Sequence, residues 1–143
     1  MSISEAERRL CWHGVLLFLL GLITGVLVPA LTNSRMGLSA HMAGVQNGMV
    51  LAILGLLWPK VSLSEPQARW AASLSVFSMY AIWLALFLAA AFGTSRATPI
   101  AGAGFQGATW QEWSVAALLY PGSVAILVAA ALVLYGLRRN RIA

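Results

Sequence analysis

Four apolar runs, with no Asp, Glu, Lys or Arg well inside any of them, dominate this chain. They cover residues 12–32, 40–58, 70–92 and 113–137. A transmembrane helix needs roughly 20 apolar residues to cross about 30 Å of hydrocarbon. Each run is of that order, and in lipid a helix satisfies its own backbone hydrogen bonds. Of the 143 residues, 60% are hydrophobic and only 9% are charged. An ordinary soluble domain carries about 25% charged residues. That balance excludes both a soluble globular domain and a disordered chain. The expected fold is all-α: an integral membrane bundle of four transmembrane helices, with residues 1–143 forming a single domain. The single cysteine, Cys11, excludes a disulfide scaffold.

The net charge of +5 comes from nine basic residues placed between or beyond the apolar runs. No basic stripe with interleaved aromatics is present, so nucleic acid is not an expected partner; the lipid bilayer is. With alternating spans, one side holds Arg8, Arg9, Lys60, Arg69, Arg138, Arg139 and Arg141. The other side holds Arg35 and Arg96. The excess of basic residues on cytoplasmic loops then puts both termini in the cytoplasm. The first run exceeds a signal-peptide core of about 7–15 residues, and no A-x-A site follows it, so it is expected to be a retained span. Trp12, Trp58, Trp70, Trp110 and Trp113 fall at span ends, as interfacial anchors do.

The absence of acids inside the spans also limits the chemistry. Proton-coupled transporters rely on an intramembrane carboxylate. Small four-helix drug exporters match this chain in size but carry a glutamate in the first span, which this chain lacks. The same absence disfavours paired-carboxylate catalysis, and it leaves no buried acid for a Ser-His-Asp set. Glu112, at the start of the fourth run, is the nearest acid. The serines and threonines of the spans are expected to bond back to their own or a neighbouring helix. The two histidines, His13 and His41, are the groups with metal-ligating capacity.

The densest polar stretch is residues 39–49. At about 100° per residue, His41, Gly44 and Gly48 lie within about 60° of one another, and Asn47 lies about 120° from His41. The two glycines allow two readings. They let helices pack closely, or they leave room for a flat ligand beside the imidazole. Two histidines and one cysteine cannot close a tetrahedral zinc site. A single histidine does suffice as a proximal haem ligand, and the lack of C-x-x-C-H excludes covalent attachment.

Several stretches resemble the hydroxylaminobenzene mutase family, small four-span bacterial membrane proteins related to styrene oxide isomerase. They are Arg9-Leu10-Cys11-Trp12-His13-Gly14, Gly37-Leu38-Ser39-Ala40-His41 through Asn47-Gly48-Met49, and Pro99-Ile100-Ala101-Gly102-Ala103-Gly104 with Gln106-Gly107 and Gln111-Glu112. In Met79-Tyr80-Ala81-Ile82-Trp83, Ile82 stands where the mutase pattern has an asparagine. The resemblance implies a bacterial inner-membrane isomerase, a homotrimer with haem b between subunits. It implies His41 as the axial ligand and Asn47 as a group that orients substrate. Gly44 and Gly48 would make space, and His13 would be a neighbour of the cofactor, a subunit contact or a second ligand. Tyr80 is in the span that carries the active-site tyrosine of the isomerase branch, at a different register.

The implied reaction is a redox-neutral rearrangement of a small apolar aromatic substrate. Arylhydroxylamine to 2-aminophenol is the first expectation, and epoxide to aldehyde the alternative. Ferric haem would act as a Lewis acid. The rivals from other classes are a non-enzymatic haem or electron-transfer protein and an exporter.

Overall fold

The computed structural model describes residues 3–138. Four long helices make up the described chain: α1 (Ile3–Leu27), α2 (Ser34–Leu57), α3 (Glu65–Phe92) and α4 (Thr109–Arg138). All four are long and apolar enough to span a bilayer. Arg139 and Arg141 lie outside the described residues.

The helices begin earlier than the apolar runs do. Residues 33–39, which read as a polar link, are mostly the first turns of α2. Asn33 caps that helix, its Oδ1 accepting from the Met36 amide at 3.0 Å. At α3, Gln67 Oε1 accepts from the Ser64 amide (3.1 Å) and hydroxyl (2.9 Å), which starts the helix five residues ahead of Trp70. At 1.5 Å per residue, the 25 to 30 residues of α1 and α4 reach about 37 to 45 Å. They overhang a core of about 30 Å, so the charged first turns sit outside the hydrocarbon. Pro29 and Pro59, in short 3-10 turns, end α1 and α2. Gly93, at φ +68°, ends α3 in the left-handed conformation that glycine adopts freely.

α1 packs on α2, α2 on α3 and α3 on α4, while α1 and α4 are not packed together. The α1–α2 seam is built from glycines. A Cβ on Gly14 would stand 2.5 Å from Ala52 N, one on Gly21 2.5 Å from Val45 N, and one on Gly55 2.5 Å from Cys11 Sγ. The residue numbers in each of these pairs add to 66, the fixed register of an antiparallel pair. Small residues let backbones approach closely where no hydrophobic effect drives helices together in lipid. At the α3–α4 seam Gly122 lies against Ala81, and Ala85 and Ala89 cluster with Val115.

The two ends of the bundle differ. At one, the Ser62 amide donates to Gly136 O (3.0 Å). This brings the second loop to the end of α4, as alternating spans require. At the other, Arg35 donates to Ala101 O (3.2 Å) and Ala103 O (2.9 Å). Glu112 is buried there, and its carboxylate accepts from the amides of Ser95 (3.1 Å), Arg96 (2.9 Å) and Gly107 (3.1 Å). Three backbone donors compensate the buried charge, so this acid organises a loop. Trp12, Trp70, Trp110 and Trp113 are exposed, as anchors should be, but Trp58 is only 3% exposed. Trp58 joins the core of Ala6, Leu10 and Ala71, because the 3-10 turn folds it inward at the end of α2.

Candidate functional site

The expected back-bonding is present for Thr24 to Leu20 O, Ser75 to Ala71 O, Ser114 to Trp110 O and Ser123 to Leu119 O. These groups are satisfied within their own helices. The two histidines, with the polar groups they meet, fall into two places.

The first is the α1–α2 seam. His41, on α2, is half-buried, and its Nδ1 lies 2.8 Å from Gly21 O. A carbonyl only accepts, so Nδ1 carries the proton and Nε2 presents a lone pair. Gly25 makes room for the ring, since a Cβ there would stand 2.7 Å from Nδ1. Among the described residues, Nε2 has no hydrogen-bond partner and is not a fully buried atom. Exposed apolar side chains, Leu38, Met42 and Met49, stand on the same helix.

Gly44 and Gly48 do not leave open space beside this imidazole. A Cβ at Gly44 would be 2.6 Å from Gly21 Cα and 2.8 Å from Trp83 Cδ1. One at Gly48 would press on the Phe18 amide nitrogen and stand 2.7 Å from Gly14 O. Of the two readings, close packing is the one the geometry matches, because α1 and the Trp83 ring fill the room that a flat ligand would need. Asn47, about a third of a turn round α2, donates from Nδ2 to Met79 O at 3.1 Å and ties α2 to α3. Its Oδ1 has no partner among the described residues.

The second place is a cleft of about 510 Å³ between α1 and α4, floored by α3. Trp12, His13 and Leu16 line it from α1, Phe77, Tyr80, Trp83 and Leu84 from α3, and Leu118 from α4. His13 and Tyr80 meet here. The phenol donates to His13 O at 3.3 Å, and its oxygen lies 3.4 Å from His13 Nδ1. The two rings stand edge to face at 5.7 Å.

His13 is therefore paired with Tyr80, and no contact joins it to His41. Trp83 links the two places. It lines the cleft, its Nε1 donates to Thr24 Oγ1 at 3.2 Å, and its ring edge abuts Gly44. Its signal in the sequence is position: the other five tryptophans sit at span ends, and Trp83 lies within the third run. Ile82 faces Gly122 of α4, away from the cleft lining.

A haem iron takes one imidazole as proximal ligand. The donor chemistry of His41 fits, because a hydrogen bond from Nδ1 to a backbone carbonyl is how ligating histidines are oriented. No group of three or more His, Cys, Asp or Glu suited to a metal occurs among the described residues, so a closed protein-only metal site is not formed.

A bundle of four long apolar helices, with no acid inside the apolar runs, is the build of a membrane protein. The chain belongs to the styrene oxide isomerase family, whose model matches residues 6–138. It is 47% identical over 136 residues to hydroxylaminobenzene mutase HabB of Ectopseudomonas oleovorans, covering 94% of this chain and 83% of that protein. It is 39% identical over 127 residues to hydroxylaminobenzene mutase HabA of the same organism, covering 88% of this chain and 94% of that one. No solved structure matches. The chain is thus an isomerase of the mutase type, which sets aside the exporter and electron-carrier readings.

Proposed function

We propose that the protein converts an arylhydroxylamine to a 2-aminophenol within the bacterial inner membrane. The observation that carries this reading is the 47% identity to HabB across 94% of the chain. In this reaction the N–O bond breaks and a C–O bond forms at the ortho carbon. The ring proton lost there is matched by one gained at nitrogen. No electrons enter or leave, so no outside donor is needed, and the shortage of acids in the spans is no obstacle.

We further propose haem b as the cofactor, which His41 would hold through Nε2. Bound ferric iron would supply a Lewis acid for a lone pair of the N–O group. The rest is the work of this chain. Gly21 O holds the His41 proton on Nδ1, and Gly25 leaves room for the ring. Asn47 is anchored through Nδ2 and offers Oδ1 to an N–H or O–H of the substrate. The apolar helices exclude water from a cationic intermediate. Homotrimer formation completes the His41 surface; the exposed Leu38, Met42 and Met49 support a subunit contact there. Cytoplasmic termini follow from the basic excess at that end of the bundle.

The family description also names an epoxide isomerase, and feeding both substrates separates the two activities. Purified protein in lipid should turn N-phenylhydroxylamine into 2-aminophenol at least about ten times faster, by kcat/KM, than it turns styrene oxide into an aldehyde. The reverse preference would assign the chain to the epoxide branch.

A further inference from the structure

Gly21-Leu22-Ile23-Thr24-Gly25, on α1, is the stretch that holds His41, and it is poorly suited to keep its own shape. Glycine and the β-branched Ile23 and Thr24 are weak helix formers. In lipid such a stretch keeps its geometry through neighbouring helices and hydroxyl side chains. We propose that Trp83, on α3, is the positioning residue that supplies this support. Through Thr24 it fixes the α1 turn whose Gly21 carbonyl keeps the proton on His41 Nδ1 and leaves Nε2 open to a ligand. That Nε2 serves the reaction rests on the haem reading; the placement of the imidazole rests on the geometry alone.

Thr24 is 1% exposed, and its hydroxyl donates to Leu20 O at 2.8 Å. A hydroxyl that has donated its proton still accepts. Trp83 Nε1 donates to it at 3.2 Å, so both side chains are satisfied across the α1–α3 contact. Leaving either one unpaired among apolar neighbours is costly.

The same indole touches α2. A Cβ on Gly44 would stand 2.6 Å from Gly21 Cα, 2.8 Å from Trp83 Cδ1 and 3.0 Å from Trp83 Nε1. Gly21, Gly44 and Trp83 therefore converge on one point, about one helical turn along α2 from His41. One turn before Trp83, Met79 O accepts from Asn47, so α3 holds α2 at two successive points. Phe87, stacked on Trp83 at 5.9 Å with the planes 23° apart, keeps the indole in this orientation. Gly21 supplies the acceptor for His41 Nδ1 at 2.8 Å, and Gly25, next to Thr24, supplies the space for the ring. A displacement of α1 at Thr24 moves the acceptor and the space together. The imidazole is then free to turn, or to carry its proton on Nε2 instead.

The test is ¹⁵N NMR of the full chain in phospholipid nanodiscs, with its two histidines labelled and no haem added. The wild type should show His41 almost entirely as the Nδ1–H tautomer. Trp83→Phe keeps an aromatic ring and removes the N–H, and Thr24→Val keeps the shape and removes the hydroxyl. Each should raise the share of the Nε2–H tautomer and weaken haem binding, followed by the Soret band, about tenfold, the lower end of what partners behind a metal ligand carry. Thr24→Ser keeps the oxygen and should hold both near their wild-type values. The double variant should be no worse than either single one, because each breaks the same bond. Val115→Ala, in the buried α3–α4 cluster, is the control, expected to lower thermal stability and leave the tautomer alone. If Trp83→Phe and Thr24→Val lower stability as Val115→Ala does but leave the His41 tautomer unchanged, Trp83 only packs helices and the assignment is overturned. An Nε2–H tautomer in the wild type overturns it as well. The NMR needs no cofactor. A wild type that holds the Nδ1–H tautomer through Trp83 but takes up no haem refutes the haem reading and leaves the positioning role standing.

Discussion

His41→Ala is expected to purify folded but without a Soret band, and to lose mutase activity by at least about 100-fold. Even the outer partners of metal ligands cost 10–100-fold when removed, so a ligand itself should cost no less. The expectation follows from the proton on Nδ1, fixed by Gly21 O at 2.8 Å, and from the unpartnered Nε2. Gly25→Ala tests the same geometry without touching the imidazole. Its Cβ would stand 2.7 Å from Nδ1 and 2.9 Å from Cε1, so the ring must turn and haem retention should fall. Full haem content in His41→Ala would return His41 to a helix-packing role. His13→Ala, by contrast, should spare most of the haem and lower activity, because its partner is Tyr80.

Gly48→Ala should be the most damaging small substitution for folding. The added methyl meets the Phe18 amide nitrogen, Phe18 Cα and Gly14 O, all backbone of α1, which cannot step aside. Overpacking a seam ordinarily costs about 1–3 kcal/mol, and a clash with main chain on both sides of the register belongs at the top of that range or above it. Gly122→Ala provides the contrast. There the methyl meets the Ala81 side chain at 3.1 Å, and α4 can shift by a few tenths of an ångström. Thermal unfolding in detergent should show a drop for Gly48→Ala well beyond that for Gly122→Ala. Equal losses would contradict an α1–α2 seam built on glycine.

The architecture is legible in the sequence because lipid allows so few solutions. Charge-free runs of spanning length must be helices, and the structure has four. The helix starts were harder to read, since Asn33 and Ser64 cap backbone ahead of the apolar residues and caps do not show in hydropathy. Trp58 looked like its four exposed counterparts, and only the 3-10 turn behind α2 turns it inward.

The two histidines stand out because so few other polar groups occupy the spans. That each is held by a different partner, Gly21 O for His41 and Tyr80 for His13, is a matter of helix register that no spacing within one span encodes. The readings of Gly44 and Gly48 could be separated only by knowing what α1 presents to them. The cleft draws on three helices, and Phe77, Leu84 and Leu118 look like any other apolar residues until α1 and α4 are seen to stand apart.

The most direct test of an intramolecular mutase is the fate of one oxygen atom. The purified protein should be given N-phenylhydroxylamine in ¹⁸O-enriched water, without any reductant or oxidant. We expect 2-aminophenol in one-to-one yield that retains the substrate oxygen and carries no solvent ¹⁸O. Product labelled from water, or 4-aminophenol as the main product, would mean that the N–O oxygen leaves and solvent attacks, and would contradict the dry, redox-neutral transfer proposed for these four helices.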